Sequence, residues 1–269
     1  MKYVVLICAR NEEKYIASCL ASIYFQTYKP EMVVVVDDGS QDDTYARALE
    51  FHERMPITIL HNPDRGFSAV GTSLLATPFN LGFDYLSNLE WDFILLISAD
   101  TSIPPNYVEK LFMAMTPHLG VVSGRYPGIN ENYAAATGRF IRREIIKELG
   151  GQLPQTHAWE SSPPHCAEYM GYEKRSFNIP IYNLRPPGHR RRSHVGLGRA
   201  AKELGYYWPN VIHKALLNAR KGKLKMAIEV IYGYLIHEPQ KPLPDWAQYI
   251  NEQQRKAFKT KIRRIIQWY

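Results

Sequence analysis

Two adjacent carboxylates, Asp37 and Asp38, stand directly behind four consecutive valines, Val33 to Val36. An apolar run without alternation suits a strand buried on both faces, as in the middle of a parallel sheet. The run stops at Asp37-Asp38-Gly39-Ser40, which has turn chemistry: carboxylates, a residue free to take positive φ, and a hydroxyl. Asp42, Asp43 and Thr44 then offer N-cap and first-turn groups to a helix starting near Thr44. Such a β-turn-α unit puts both carboxylates at the carboxyl end of a buried strand, where open α/β sheets bind their ligands. The plainer reading is that the pair caps a turn.

The neighbouring elements repeat the pattern. Val4 to Cys8 read as a buried strand, followed by Ala9-Arg10-Asn11-Glu12-Glu13 and a helix with Ile16, Leu20 and Ile23 on one face. The second helix is expected to end near Arg54, and Ile57 to Leu60 form a third strand. A loop from His61 to Gly66 leads into a mostly helical stretch from Phe67 to Asn88, interrupted at Pro78. Phe93 to Ile97 make a buried strand that ends in Ser98-Ala99-Asp100-Thr101. Pro104-Pro105 opens a helix to about Met115, and Val121 to Tyr126 is again a strand. Another strand runs up to Tyr182, and from Gly196 the pattern is helical: 200–207, 209–219 and 224–236. Pro239 to Pro244 reads as a linker into a last helix from about Trp246 to Trp268.

At 269 residues and 45% hydrophobic, the chain is long enough for a full core in one large domain or one and a half. Its net charge of +7 is unevenly placed: residues 1–150 carry 13 basic and 18 acidic side chains, residues 151–269 carry 20 and 8. An acidic first half suggests a metal or nucleotide site, and a basic second half an anionic partner or a solvated surface. The three cysteines, Cys8, Cys19 and Cys166, are too scattered for a disulfide framework or a zinc site. With no secretory leader pattern and no apolar run of spanning length, a cytoplasmic protein is expected.

The stretch from Ala9-Arg10-Asn11-Glu12-Glu13 through Leu20, Ser22, Ile23, Gln26 and Glu31 to Val-Val-Asp37-Asp38-Gly39-Ser40 resembles the amino-terminal signature of family 2 glycosyltransferases. The resemblance implies an α/β fold of GT-A type, Rossmann-like, with a mostly parallel sheet flanked by helices and a helical C-terminal extension. Residues 1–195 would form the nucleotide-sugar-binding and catalytic domain, and residues 196–269 a helical region. It also implies an inverting enzyme that uses a nucleotide-diphosphate sugar as donor and a glycan or lipid-linked acceptor. Ala9, Asn11, Glu12, Asp37 and Asp38 would then hold the donor, with Arg65 suited to its diphosphate. Ser98-Ala99-Asp100 stands where relatives carry Asp-x-Asp, so Asp100 is the expected ligand of Mn2+ or Mg2+, with Ser98 in place of the first acid. Val121 to Tyr126 resembles an element of the dolichyl-phosphate mannose synthase branch whose arginine, here Arg125, lies near phosphate. Relatives often have His where Asn183 stands, which leaves His189 or His194 as substitutes in the metal shell. The acidic base expected beyond Gly151 is Glu160 or Glu168; Trp159-Glu160 is similar to the Trp-Asp pair of some archaeal-type relatives.

Other classes fit less well. Sugar-phosphate nucleotidylyltransferases need a glycine-rich loop after the first strand, and residues 9–13 contain no glycine. A nucleic-acid binder would explain the basic half but not the acidic strand ends. A non-catalytic nucleotide-sugar-binding protein stays open because of Ser98 and Asn183. From Gln253 to Tyr269 six basic residues and no acids accompany Phe258, Ile262, Ile265, Ile266 and Tyr269 on one side of a helix. That helix either docks on an anionic membrane surface, at the inner face of a membrane, or packs its apolar stripe on the domain.

Overall fold

A computed structural model describes residues 1–69, 72–126, 137–186, 194–239 and 243–266, with side chains described up to residue 260. The expected metal-shell residue His189, the arginines 190–192, and the residues Ile262, Ile265, Ile266, Trp268 and Tyr269 of the terminal stripe lie outside the described residues or side chains.

The valine run forms β2 (Met32–Asp37), seated between β1 (Tyr3–Ala9) and β3 (Ile57–His61), all parallel. On the other side of β1 comes β4 (Phe93–Leu96), also parallel, followed by β7 (Arg139–Arg142), β6 (Leu119–Arg125) and β8 (Glu173–Pro180). The order is β3-β2-β1-β4-β7-β6-β8, and β7 alone of the seven runs against the rest. A separate two-stranded ribbon pairs β5 (Thr101–Ser102) with β9 (Tyr182–Asn183).

Because side chains alternate across a strand, the unbroken apolar runs feed two cores at once. Val5, Ile7, Val33 and Val35 pack on one face with α1 (Ile16–Tyr24), α2 (Thr44–Leu49) and α4 (Tyr107–Ala114). Val4, Leu6, Val34 and Val36 pack on the other with α3 (Ala76–Ser87), α5 (Arg143–Glu148) and α6 (Ser162–Tyr169). Buried Asn80 of α3 closes the second face by donating to the Leu153 carbonyl at 2.9 Å and accepting from the Leu153 amide at 2.8 Å.

Several boundaries differ from the sequence expectation, among them the helix expected over 200–207, which lies at Val195–Glu203. The second helix stops at Leu49, and the chain reaches Arg54 through turns. Pro78 does not interrupt a helix, because α3 starts at Ala76 and the proline falls in its first turn, where no intrahelical N–H bond is lost.

The helical region comprises α7 (Val195–Glu203), α8 (Trp208–Arg220), α9 (Leu224–Ile236) and α10 (Asp245–Ile266). Helices α7 and α9 cross at a glycine contact, since a Cβ on Gly198 would meet the Val230 carbonyl at 2.1 Å. The first turns of α10 bury Trp246 and Ala247 in the second core, against α6, and Ile250 is buried one turn on. Among the described residues no helix is long and apolar enough to cross a membrane.

Candidate active site

The carboxyl ends of β1, β2 and β4 open into a cleft of about 800 Å³. Its wall carries Ala9, Asn11, Glu12, Asp38, Ser98, Ala99, Asp100 and Glu160 of the expected site residues. Asp37, Arg65, Arg125 and Glu168 do not line it.

The loop after β1 is tied to the loop after β2 by local polar groups. Asn11, held at φ 55°, donates its amide to Ser40 Oγ at 3.0 Å and accepts from the Gln41 amide at 2.9 Å. The Glu12 amide donates to Thr44 Oγ1 at 2.7 Å and the Glu13 amide to Asp42 at 3.2 Å. Burial acts to raise the Asp42 carboxyl, but hydrogen bonds from Thr44 and the Glu13 amide outweigh it and hold the carboxyl below its usual range. Four contacts between two short loops make one rigid rim.

The two leading carboxylates have different surroundings. Asp37 is buried, accepts from the Ser40 amide at 3.1 Å and lies 3.2 Å from His61 Nδ1, so it braces the turn. Asp38 reaches the cleft, accepts from Asn62 Nδ2 at 2.6 Å and is bonded to Arg65, which is therefore engaged with this carboxylate. Arg10 bonds the carbonyls of Asp38 and Gly39 and pairs with Asp64 at 2.6 Å. That bond comes first among the causes that bring the Asp64 carboxyl down to about 2.

The opposite end is organised around Asp100. The Asp100 carbonyl accepts from the Leu184 amide at 2.8 Å, and the β5–β9 ribbon sets Thr101 beside Asn183. This brings in Arg185, a residue the sequence reading passed over. Its Nε donates to Asp100 Oδ2 at 3.0 Å, its Nη2 sits 2.5 Å from both oxygens of Glu12, and its guanidinium lies 5.0 Å from the Tyr15 ring centroid. Burial acts to lower the Arg185 pKa, and the Asp100 bond with the Glu12 and Asp100 charges more than offsets it, so the group stays firmly cationic. Two carboxylates from different strand ends thus converge on one positive charge. The sequence signal was an arginine two residues beyond the position where relatives complete the metal shell.

The third wall comes from β7 and the loop before α6. Tyr107 donates to the Gly138 carbonyl at 2.5 Å and accepts from the Gly124 amide at 2.6 Å, which fixes the approach to Thr137 and Arg139. Thr137 Oγ1 accepts from the Ser98 amide at 2.8 Å, tying that segment to the end of β4. Buried Arg139 donates to the Glu160 carbonyl at 2.5 Å, while Trp159 stacks on Phe79 at 5.0 Å, so Glu160 is presented on a braced loop. Glu168 is held elsewhere, 2.9 Å from His165 Nδ1 and 2.8 Å from Lys174 Nζ. Burial alone would raise its carboxyl, yet the His165 and Lys174 hydrogen bonds bring it below the ordinary range. Arg125 donates to Asn178 at 3.2 Å, and His194 lies 2.9 Å from Glu229 on α9.

Known proteins share this architecture. S. aureus TarS in complex with UDP-GlcNAc superposes with a TM-score of 0.59 at 18% identity, over 76% of this chain and 66% of that one. Mannosyltransferase PcManGT from Pyrobaculum calidifontis, in complex with GDP-Man and Mn2+, gives 0.57 at 19% identity over 96% and 75%. At these identities the likeness establishes the GT-A fold. Among curated sequences, glycosyltransferase GlyA of Streptococcus pneumoniae is 31% identical over 133 residues, 49% of this chain and 18% of GlyA. Glycosyltransferase GlyG of the same organism is 26% identical over 182 residues, 65% of this chain and 57% of GlyG. This chain spans between 18% and 57% of the length of the curated relatives it matches. The family model described as Glycosyl transferase family 2 matches residues 4–178, which contain every strand of the main sheet apart from Tyr3 of β1 and the last two residues of β8, and this chain belongs to that family.

Proposed function

We propose that the protein moves a sugar from a nucleotide-diphosphate sugar to an acceptor hydroxyl with inversion at the anomeric carbon. The observation that carries the reading is the convergence of Glu12 and Asp100 on a single cation, in a cleft whose far wall presents Glu160. In the reaction Glu160 takes the proton of the acceptor hydroxyl, whose oxygen bonds to the anomeric carbon as the bond to the diphosphate breaks. The nucleoside diphosphate leaves on the opposite face. Asn11 and Asp38 sit at the braced end of the cleft and take the nucleoside, Asp38 through its remaining acceptor capacity. A divalent ion, Mn2+ or Mg2+, suits the Asp100 end, because oxygens there already gather round positive charge; when bound it supplies electrostatic stabilisation of the departing diphosphate. That the Pyrobaculum mannosyltransferase is in complex with both GDP-Man and Mn2+ supports the reading.

Thermal-shift screening against UDP-, GDP-, dTDP- and CDP-sugars, with and without manganese, tests the donor, since a ligand bound only by the native state raises stability. At least one donor should shift the melt and be turned over, and Asp100→Asn should abolish metal-dependent turnover while the protein stays folded. Full activity of a folded Asp100→Asn protein would overturn the metal role, and a donor bound but never turned over would leave a sugar-nucleotide-binding protein.

We further propose a lipid-linked acceptor reached at an anionic membrane surface. Leu224, Ile228, Tyr232 and Leu235 form an exposed apolar row along α9, and Lys221, Lys223 and Lys225 stand at its start. Apolar burial and attraction to anionic lipid then act together. The chain should sediment with anionic but not neutral vesicles, and Leu235→Glu should abolish this; equal behaviour of the two chains would sink the membrane reading.

A further inference from the structure

His157, Glu203 and His237 meet away from the cleft, and none of the three lines it. They come from separate segments: the loop before α6, the last residue of α7, and the residue following α9. Their side chains are only 17%, 10% and 18% exposed. Glu203 Oε1 lies 3.1 Å from His157 Nδ1 and 3.1 Å from His237 Nε2, and all three ligand atoms fall within 4.8 Å of one another.

A carboxylate bracketed by two histidines can be a plain hydrogen-bonded clasp. Here the clasp is incomplete. His237 Nε2 is shut off from solvent and, among the described residues, has no hydrogen-bond partner, because Glu203 is near it but out of line. A buried ring nitrogen in that condition has lost water and gained nothing in exchange. A metal bond along its lone pair would remove the cost.

The spacing fits such a bond. Ligands about 2.0–2.1 Å from a tetrahedral zinc stand about 3.3 Å from each other, and the two edges at Glu203 are close to that already. The imidazole rings meet edge-on, 5.7 Å apart and inclined at 78°, so both nitrogens can face one point. Glu203 is steadied from behind, since its Oε2 accepts from the Ala158 amide at 3.1 Å and leaves Oε1 for the shared point. Two neutral imidazoles and one carboxylate are a donor set for zinc-class ions rather than for Mg2+ or Ca2+.

We propose that His157, Glu203 and His237 bind one zinc-class divalent ion. The ion clamps helices α7 and α9 to the loop that carries Trp159 and Glu160 into the cleft. It is separate from any ion bound at Asp100.

The test uses the full chain, stripped with EDTA and then given zinc alone or cobalt alone. Zinc should bind at one equivalent per chain and raise the melting temperature. Cobalt should give the intense visible absorption of a tetrahedral site. Both signals should survive Asp100→Asn and be lost in His237→Ala and His157→Ala. Wild-type protein that retains no zinc, or whose cobalt spectrum is weak and octahedral, overturns the proposal even if the histidine variants fail to fold. So does a tetrahedral spectrum that persists in a folded His237→Ala protein or disappears in Asp100→Asn.

Discussion

On the proposed function a divalent cation entering at Asp100 must compete with Arg185 for the same oxygens, and the outcome can be sized. The Arg185 side chain is 34% exposed, with Asp100 at 24% and Glu12 at 17%, so water and salt reach the network. Ion pairs of that exposure contribute about 0.2–1 kcal/mol each. Two of them oppose metal entry by about 0.4–2 kcal/mol, which is roughly a two- to thirty-fold loss of metal affinity. Arg185→Ala should therefore tighten Mn2+ binding by that factor in calorimetric titrations without nucleotide. The gain should shrink at high salt, which screens the arginine pairs in the wild-type protein. Asp100→Asn in the Arg185→Ala background should remove the gain, because the carboxylate, not the vacated space, attracts the ion. Manganese affinity that stays unchanged or falls in Arg185→Ala would refute the competition.

The other predictions concern the base, the core and the rim. Glu160→Gln should lower transfer about 10²–10⁴-fold with little change in donor binding, whereas Glu168→Gln, lying off the cleft, should leave transfer near wild type; the reverse pattern in steady-state kinetics would reject Glu160. Asn80→Leu removes both hydrogen bonds to buried Leu153 and should cost about 2–4 kcal/mol in urea unfolding, and a loss below about 0.5 kcal/mol would contradict the bracing role. Arg10, with the Gly66 amide and Gln41, holds Asp64 at about 2 against an ordinary 3.8, so its contribution to stability is present above the ordinary value and is lost as pH falls through the depressed one. Asp64→Asn should accordingly be less stable than wild type at neutral pH, with the gap closing between about pH 4 and pH 2; a gap still open at the acid end would refute it.

What could be read from the sequence was local. The valine run, the turn chemistry of residues 37–40 and the apolar strand before Asp100 each lie within a few residues, and each landed at a carboxyl strand end. The helix from Leu224 to Ile236 and the strand starting at Ile57 are set by the same short-range patterns. Arg185 was not legible for a physical reason. Its approach to Asp100 depends on a ribbon only two residues wide, and such a strand has no periodicity to detect. The His157–Glu203–His237 cluster escaped for the same reason, since helix packing over 80 residues of chain creates it. Arg65, expected from the resemblance to meet the donor diphosphate, is paired with Asp38 in the structure, a contact 27 residues apart that the sequence does not show.

The two ends of the cleft therefore differ in what binding must change. At the end proposed for the nucleoside the rim is already fixed by the Asn11, Glu12 and Glu13 contacts to the neighbouring loop, so a ligand there orders little backbone. At the Asp100 end the oxygens are neutralised by a side chain reaching in from the far side of the chain, 85 residues on. Any cation or phosphate that enters must displace or recruit that guanidinium. Since an arginine fork matches phosphate as well as carboxylate, one rotation can release Asp100 and present the freed charge to a diphosphate. On the proposed function, assembly of the reacting end is then coupled to donor arrival, while the end proposed for the nucleoside stays ready throughout.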